Sequence, residues 1–100
     1  MSNGWIKLHR KTLDNPIVMK DTDHFAVWMW LLLNATHSDH DTIYEGQRLT
    51  LKAGQFITGR KIISKELKIN ESKIQRILKT FEIEQQIEQQ TNPRCRLISI

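Results

Sequence analysis

Residues 58–81 read TGRKIISKELKINESKIQRILKTF, and the spacing of their apolar side chains decides how the rest of the chain is read. Ile63 and Leu67 stand four apart on one face of a short helix, while Ile74, Ile77, Leu78 and Phe81 recur at the three- and four-residue intervals of a second. Ile69 falls between them. It is placed to plug a three- or four-residue turn at which the two helices cross steeply. Asn70 is a good N-cap for the second helix, since its side-chain oxygen can accept from the free backbone N–H groups of the first turn. Thr58 is expected to cap the first helix in the same way.

The polar positions left on the second helix are Ser72, Lys73, Gln75, Arg76, Lys79 and Thr80, with only Glu71 against them. Side chains of these types can reach phosphates and base edges in a major groove. A solvated face of an ordinary amphipathic helix has the same composition, so this helix alone decides nothing. The next stretch does. Residues 82–100, EIEQQIEQQTNPRCRLISI, hold an apolar-anchored run, a turn signal at Asn92-Pro93 and a β-prone ending at Leu97-Ile98-Ser99-Ile100. Glu and Gln favour continued helix. The helix is nonetheless expected to end near 82–85, because strand 96–100 would otherwise have no neighbour on that side. The resulting hairpin carries Thr91, Asn92, Arg94 and Arg96 near its tip, stiffened by Pro93, with a loop of three to five residues because no glycine is there for a tighter turn. In this hairpin Gln89 can reach a groove edge, and Arg94 and Arg96 can meet phosphate or a narrow minor groove. Helix, turn, helix and hairpin is the order of a winged helix-turn-helix. The expected fold class is α+β, with three to four helices, a small antiparallel sheet and a C-terminal β-hairpin wing. The helix pair spans about 58–82 and the wing about 86–100.

Ahead of this unit, Trp5, Ile6 and Leu8 open a segment expected to turn helical over 9–14 and to stop at Asn15-Pro16. Trp5 reads as a core anchor or as an interface residue. Asp21, Thr22 and Asp23 offer caps for HFAVWMWLLLNAT (24–36), which is apolar almost all round and is expected to be the central helix, with Phe25, Trp28, Trp30, Leu32 and Leu33 in the core. The alternative is that one of its faces stays exposed for a homodimer contact. The cluster His37, Asp39, His40 and Asp41 has metal-capable side chains but no spacing that makes three or four ligands converge, so it reads as a polar loop and no metal is expected. A small hairpin of 43–44 with 48–51 follows, then a turn at 52–54 and a strand at 55–57. That strand is expected to form a sheet with 87–90 and 96–100.

One hundred residues, 39% hydrophobic and 26% charged, make one small domain spanning 1–100. There is no signal-like start, and the apolar run Phe25–Leu33 is far short of the roughly 20 residues that span a bilayer. No membrane association is expected. The lone Cys95 supplies neither a disulfide nor a zinc pair, which suits a cytoplasmic protein. Residues 1–57 carry six bases and six acids. Residues 58–100 carry nine bases (Arg60, Lys61, Lys65, Lys68, Lys73, Arg76, Lys79, Arg94, Arg96) against five acids (Glu66, Glu71, Glu82, Glu84, Glu88), hence the whole formal excess of +4. The basic field coincides with the proposed reading elements. His9, His24, His37 and His40 lack a nucleophile partner and no glycine-rich phosphate loop occurs, so neither catalysis nor a cofactor is expected.

GWIKLHRKTLDNPIVMKD (4–21), LTLKAGQFITGRK (49–61) and INESKIQRILKTFEIEQQIEQQ (69–90) resemble, in order and over nearly the whole chain, the N-terminal winged-helix domain of phage and prophage replisome-organizer proteins, relatives of primosomal DnaD-like proteins. The resemblance implies double-stranded DNA binding in the replication machinery of a phage or mobile element, with other replication proteins as further partners. It also implies that the chain is the N-terminal part of a longer protein. The candidate DNA-binding residues are Thr58, Arg60, Lys61, Asn70, Ser72, Lys73, Gln75, Arg76, Lys79, Gln89, Asn92, Arg94 and Arg96. Truncating Lys73 or Arg76 should weaken binding if the second helix dominates, and Arg94 and Arg96 should matter most if the wing does. Two other functions fit the same chain: a relaxosome accessory or transcriptional regulator binding repeated sites, and an oligomerisation or protein-docking module.

Overall fold

The computed structural model describes residues 5–36, 38–44, 46–91 and 96–100. Its described residues form helices α1 (Thr22–Asn34), α2 (Arg60–Leu67) and α3 (Glu71–Ile83), with strands β1 (His40–Tyr44), β2 (Gln47–Leu51), β3 (Gln55–Thr58), β4 (Glu88–Thr91) and β5 (Arg96–Ser99). The first two strands make a separate hairpin. The other three make an antiparallel sheet in the order β3-β5-β4, with Phe56 opposite Ile98 and Ile98 opposite Gln89. This is the sheet expected from the sequence, and the α+β fold has the element order of a winged helix-turn-helix, with β4–β5 as the wing.

Local chemistry explains most boundaries. Over Arg10–Asp14 the expected helical turn is a 3-10 helix, and Asn15 leaves the helical region before Pro16 while its Oδ1 accepts from the N–H groups of Ile17 and Val18. Asp21 caps α1 through a 2.8 Å bond from the His24 N–H. Asn70 caps α3 as expected, accepting from the Ser72 N–H at 2.8 Å. Between α2 and α3, Lys68 takes a left-handed conformation (φ 58°), the Ser64 hydroxyl donates to the Ile69 carbonyl, and Ile69 is buried. The tract EIEQQIEQQ stops being helical where predicted: Gln85 is left-handed (φ 61°) and the Gln86 N–H returns to the Phe81 carbonyl at 2.8 Å.

Ile63, Ile74, Ile77, Leu78, Phe81 and Ile98 are among the side chains that close the core, against Val27 and Leu31 of α1. Phe81 is wholly buried and meets Trp28 edge-on at 5.4 Å.

Three expectations are corrected. Thr58 does not cap α2: Gly59 is the N-cap, without a side-chain bond, and Thr58 ends β3 with its hydroxyl buried and without a partner among the described residues. Strand alternation sends Thr58 inward with Phe56, which takes it from the helix start. Along α1 only His24, Val27 and Leu31 are fully buried, whereas Phe25, Trp28 and Trp30 are half-buried against the core, Leu32 is half-buried and Leu33 is 59% exposed. A fold with two other helices and a small sheet has too little surface to cover α1 on every side. Trp5, 78% exposed, is no core anchor. No helix among the described residues is long and apolar enough to cross a membrane.

Candidate nucleic-acid interface

Ile74, Ile77, Leu78 and Phe81 fix which side of α3 is inward. Helical spacing then puts Ser72, Arg76, Lys79 and Ile83, which are four, three and four residues apart, on the opposite side, and all four are exposed. The two flanks between these sides are each tied to another element.

On one flank, Lys73 Nζ lies 2.7 Å from Asp23 Oδ2 and 3.5 Å from Asp21 Oδ2, at the start of α1 where backbone N–H groups favour acids. The bond to Asp23 raises the lysine above its ordinary pKa. Asp21 is held below the usual carboxylate range, first by the His24 backbone N–H and then by the His24 ring, whose Nδ1 is 2.7 Å from the carboxylate. His24 is buried and meets Phe81 edge-on, so this cluster joins α1 to α3 through the core as well as over the surface.

On the other flank, Arg96 of β5 donates from Nη2 to Gln75 Oε1 and from Nη1 to Gln89 Oε1, each at 2.9 Å. Arg96 is 9% exposed. Burial, and secondarily Arg60, depress its pKa against the opposing pull of Glu82. None of the ion pairs among the described residues includes it. A guanidinium keeps its proton in such a place, so a full charge lies under the joint of wing and helix.

The candidate residues therefore separate. Ser72, Arg76 and Lys79 share the open side of α3, with Asn70 exposed at its start and Lys61 exposed on α2. Arg60 pairs with Glu71 at 3.4 Å and Lys79 with Glu82 at 3.7 Å, exposed contacts too weak to withhold either cation from a polyanion. Lys73 is turned to α1. Gln75 sits at the wing-side edge of the open stripe. Three candidates lie away from the open side: Thr58 is buried in β3, Arg96 is a buried clamp, and Gln89 points inward, its Oε1 on Arg96 and its Nε2 3.5 Å from the Leu78 carbonyl. Asn92, Pro93, Arg94, Cys95 and His37 lie outside the described residues.

The acidic lock on Lys73 and the Arg96 clamp are what sequence reasoning missed. Asp21 and Asp23 were legible as caps, but their second role needs a partner some fifty residues away. Arg96 carried a signal that went unread, since it stands two residues before inward-facing Ile98 and so shares its face of the strand. Compared with protein-family models, curated proteins and solved structures, the chain matches none.

Proposed function

We propose that this chain binds double-stranded DNA by laying the open side of α3 in the major groove, within the replication machinery of a phage or mobile element. The supporting observation is the exposed stripe of Ser72, Arg76 and Lys79 on the helix that follows the turn, beside a β-hairpin wing. Arg76 and Lys79 supply charge and donors to phosphates and base edges. Asn70 and Ser72 stand at the start of α3 and Arg60 and Lys61 at the start of α2, where free N–H groups add to the attraction for phosphate. The wing formed by β4 and β5 lies along the neighbouring backbone. The placement in replication and alongside other replication proteins rests on the resemblance to replisome organizers, and the placement in the cytoplasm on the lone Cys95.

A gel-shift titration on mixed-sequence duplex tests this reading. Arg76→Ala and Lys79→Ala are each expected to weaken binding, and unchanged affinity in both removes α3 from the interface. A second reading, an oligomerisation or docking module, is favoured by the exposed apolar side chains of Trp5 (78%) and Leu33 (59%). Sedimentation with and without duplex separates the two: a stable homodimer indifferent to DNA supports the docking role.

A further inference from the structure

Gln75 and Gln89 are not free to turn their amides. Arginine carries donors and no acceptor, so the atoms these two side chains place 2.9 Å from the Arg96 guanidinium are necessarily carbonyl oxygens. Gln89 directs its Nε2 back toward α3, 3.5 Å from the Leu78 carbonyl and from Glu82 Oε1. Gln75 Nε2 has no partner among the described residues. Gln75 is half-buried, three residues after Ser72 and four before Lys79, and thus borders the open stripe.

An unrestrained glutamine matches adenine with both ends of its amide, accepting from N6 and donating to N7. Gln75 cannot do so on equal terms. Its oxygen already faces a cation, which draws electron density from the amide, weakens the remaining lone pair as an acceptor and strengthens the Nε2 hydrogens as donors. We infer that Arg96 is a specificity-determining residue that acts through Gln75: it makes Gln75 a donor-only reader that takes keto bases, guanine or thymine, and disfavours amino bases, adenine or cytosine, at the position it faces. Guanine offers O6 and N7 and thymine offers O4, all acceptors; adenine keeps an acceptor at N7, but its N6, like cytosine N4, sets a donor against the Gln75 donors. The inference rests on the DNA-binding reading above. A buried guanidinium with no carboxylate paired to it among the described residues is a costly way merely to join a wing to a helix, since apolar side chains of similar volume hold such joints at least as well.

Selection of sites from a random duplex pool, with the whole chain and its variants, decides the matter. The wild type is expected to enrich keto over amino bases at one position by on the order of tenfold. In Gln75→Glu the carboxylate keeps its bond to Arg96 and presents an acceptor, so the preference at that position should invert toward adenine or cytosine. Arg96→Met releases the Gln75 oxygen and should admit adenine there; should this variant fail to fold by circular dichroism, Gln75→Glu alone decides. Amino bases at the Gln75-dependent position in the wild type overturn the inference. So does a Gln75→Glu selection unchanged at every position while duplex is still retained, and that result leaves DNA binding standing. Retention of no duplex by the wild type overturns both.

Discussion

Replacing Arg76 by alanine should flatten the salt dependence of duplex binding, whereas replacing Lys73, three residues earlier in the same helix, should leave it unchanged. Each phosphate neutralised by a cation contributes about −0.9 to the slope of log affinity against log salt. Arg60, Lys61, Arg76 and Lys79 are the candidate cations exposed on α2 and α3, so if each meets one phosphate the slope is about −3.6, and a fourfold rise in salt weakens binding about 150-fold. Without Arg76 the slope falls to about −2.7 and the same rise costs about 40-fold. Lys73 behaves differently because its ammonium is held 2.7 Å from Asp23 on the α1 side. Its loss should lower stability, not the number of counterions released. Fluorescence anisotropy of a labelled duplex across a fourfold salt range reads both slopes, with melting curves to confirm folding. Equal flattening in the two variants would show that the Asp21–Asp23 lock does not withhold Lys73, and the partition of α3 into an open side and tied flanks would be wrong.

Thr58→Val exchanges a buried hydroxyl, without a partner among the described residues, for a methyl and should stabilise the fold by about 1–3 kcal/mol, read as a higher Tm; a lower Tm means that the hydroxyl has a partner. Asp21 has a depressed folded pKa, so its contribution is complete above its unfolded value of about 3.9 and is lost as pH falls toward the folded one. Asp21→Asn should therefore melt below the wild type at neutral pH, with the gap closing under acid conditions; a gap constant with pH would remove Asp21 from the linkage. Gly54 has φ 88° and bonds Thr36 and Ile100 through its backbone. A Cβ there would have room, the Ile100 carbonyl being 3.5 Å away, so Gly54→Ala should cost about 1–2 kcal/mol by conformation alone, and an unshifted melting curve counts against that.

The helix pair was legible because the period of Ile63, Leu67, Ile74, Ile77, Leu78 and Phe81 is a local property, and the Asn70 cap follows from the same register. The wing was legible because Asn92-Pro93 and the β-prone end of the chain outweighed the helical propensity of the Glu- and Gln-rich tract. The stop near 82–85 was inferred from the strand beyond it, while the left-handed Gln85 that makes it leaves no mark in a sequence where glycine is the usual signal. Candidate residues were sorted by charge where geometry decides. Arg96 and Thr58 face each other across β3 and β5 and point inward by alternation, yet both read as polar contacts. Lys73 could not be told from Arg76 without the position of α1, a long-range fact. The apolar surplus of α1 misled for a different reason, because composition shows what a helix would bury and not how much neighbouring surface exists to bury it.

The two fastenings of α3 differ in kind. One is an ion pair whose lysine is a third exposed, open to the ionic atmosphere of the solvent; the other is a pair of hydrogen bonds from the buried Arg96 guanidinium to glutamine oxygens, shielded from it. Rising ionic strength accordingly screens the Lys73 pair while sparing the Arg96 hydrogen bonds, so the two edges of α3 are held by contacts of unequal sensitivity to salt.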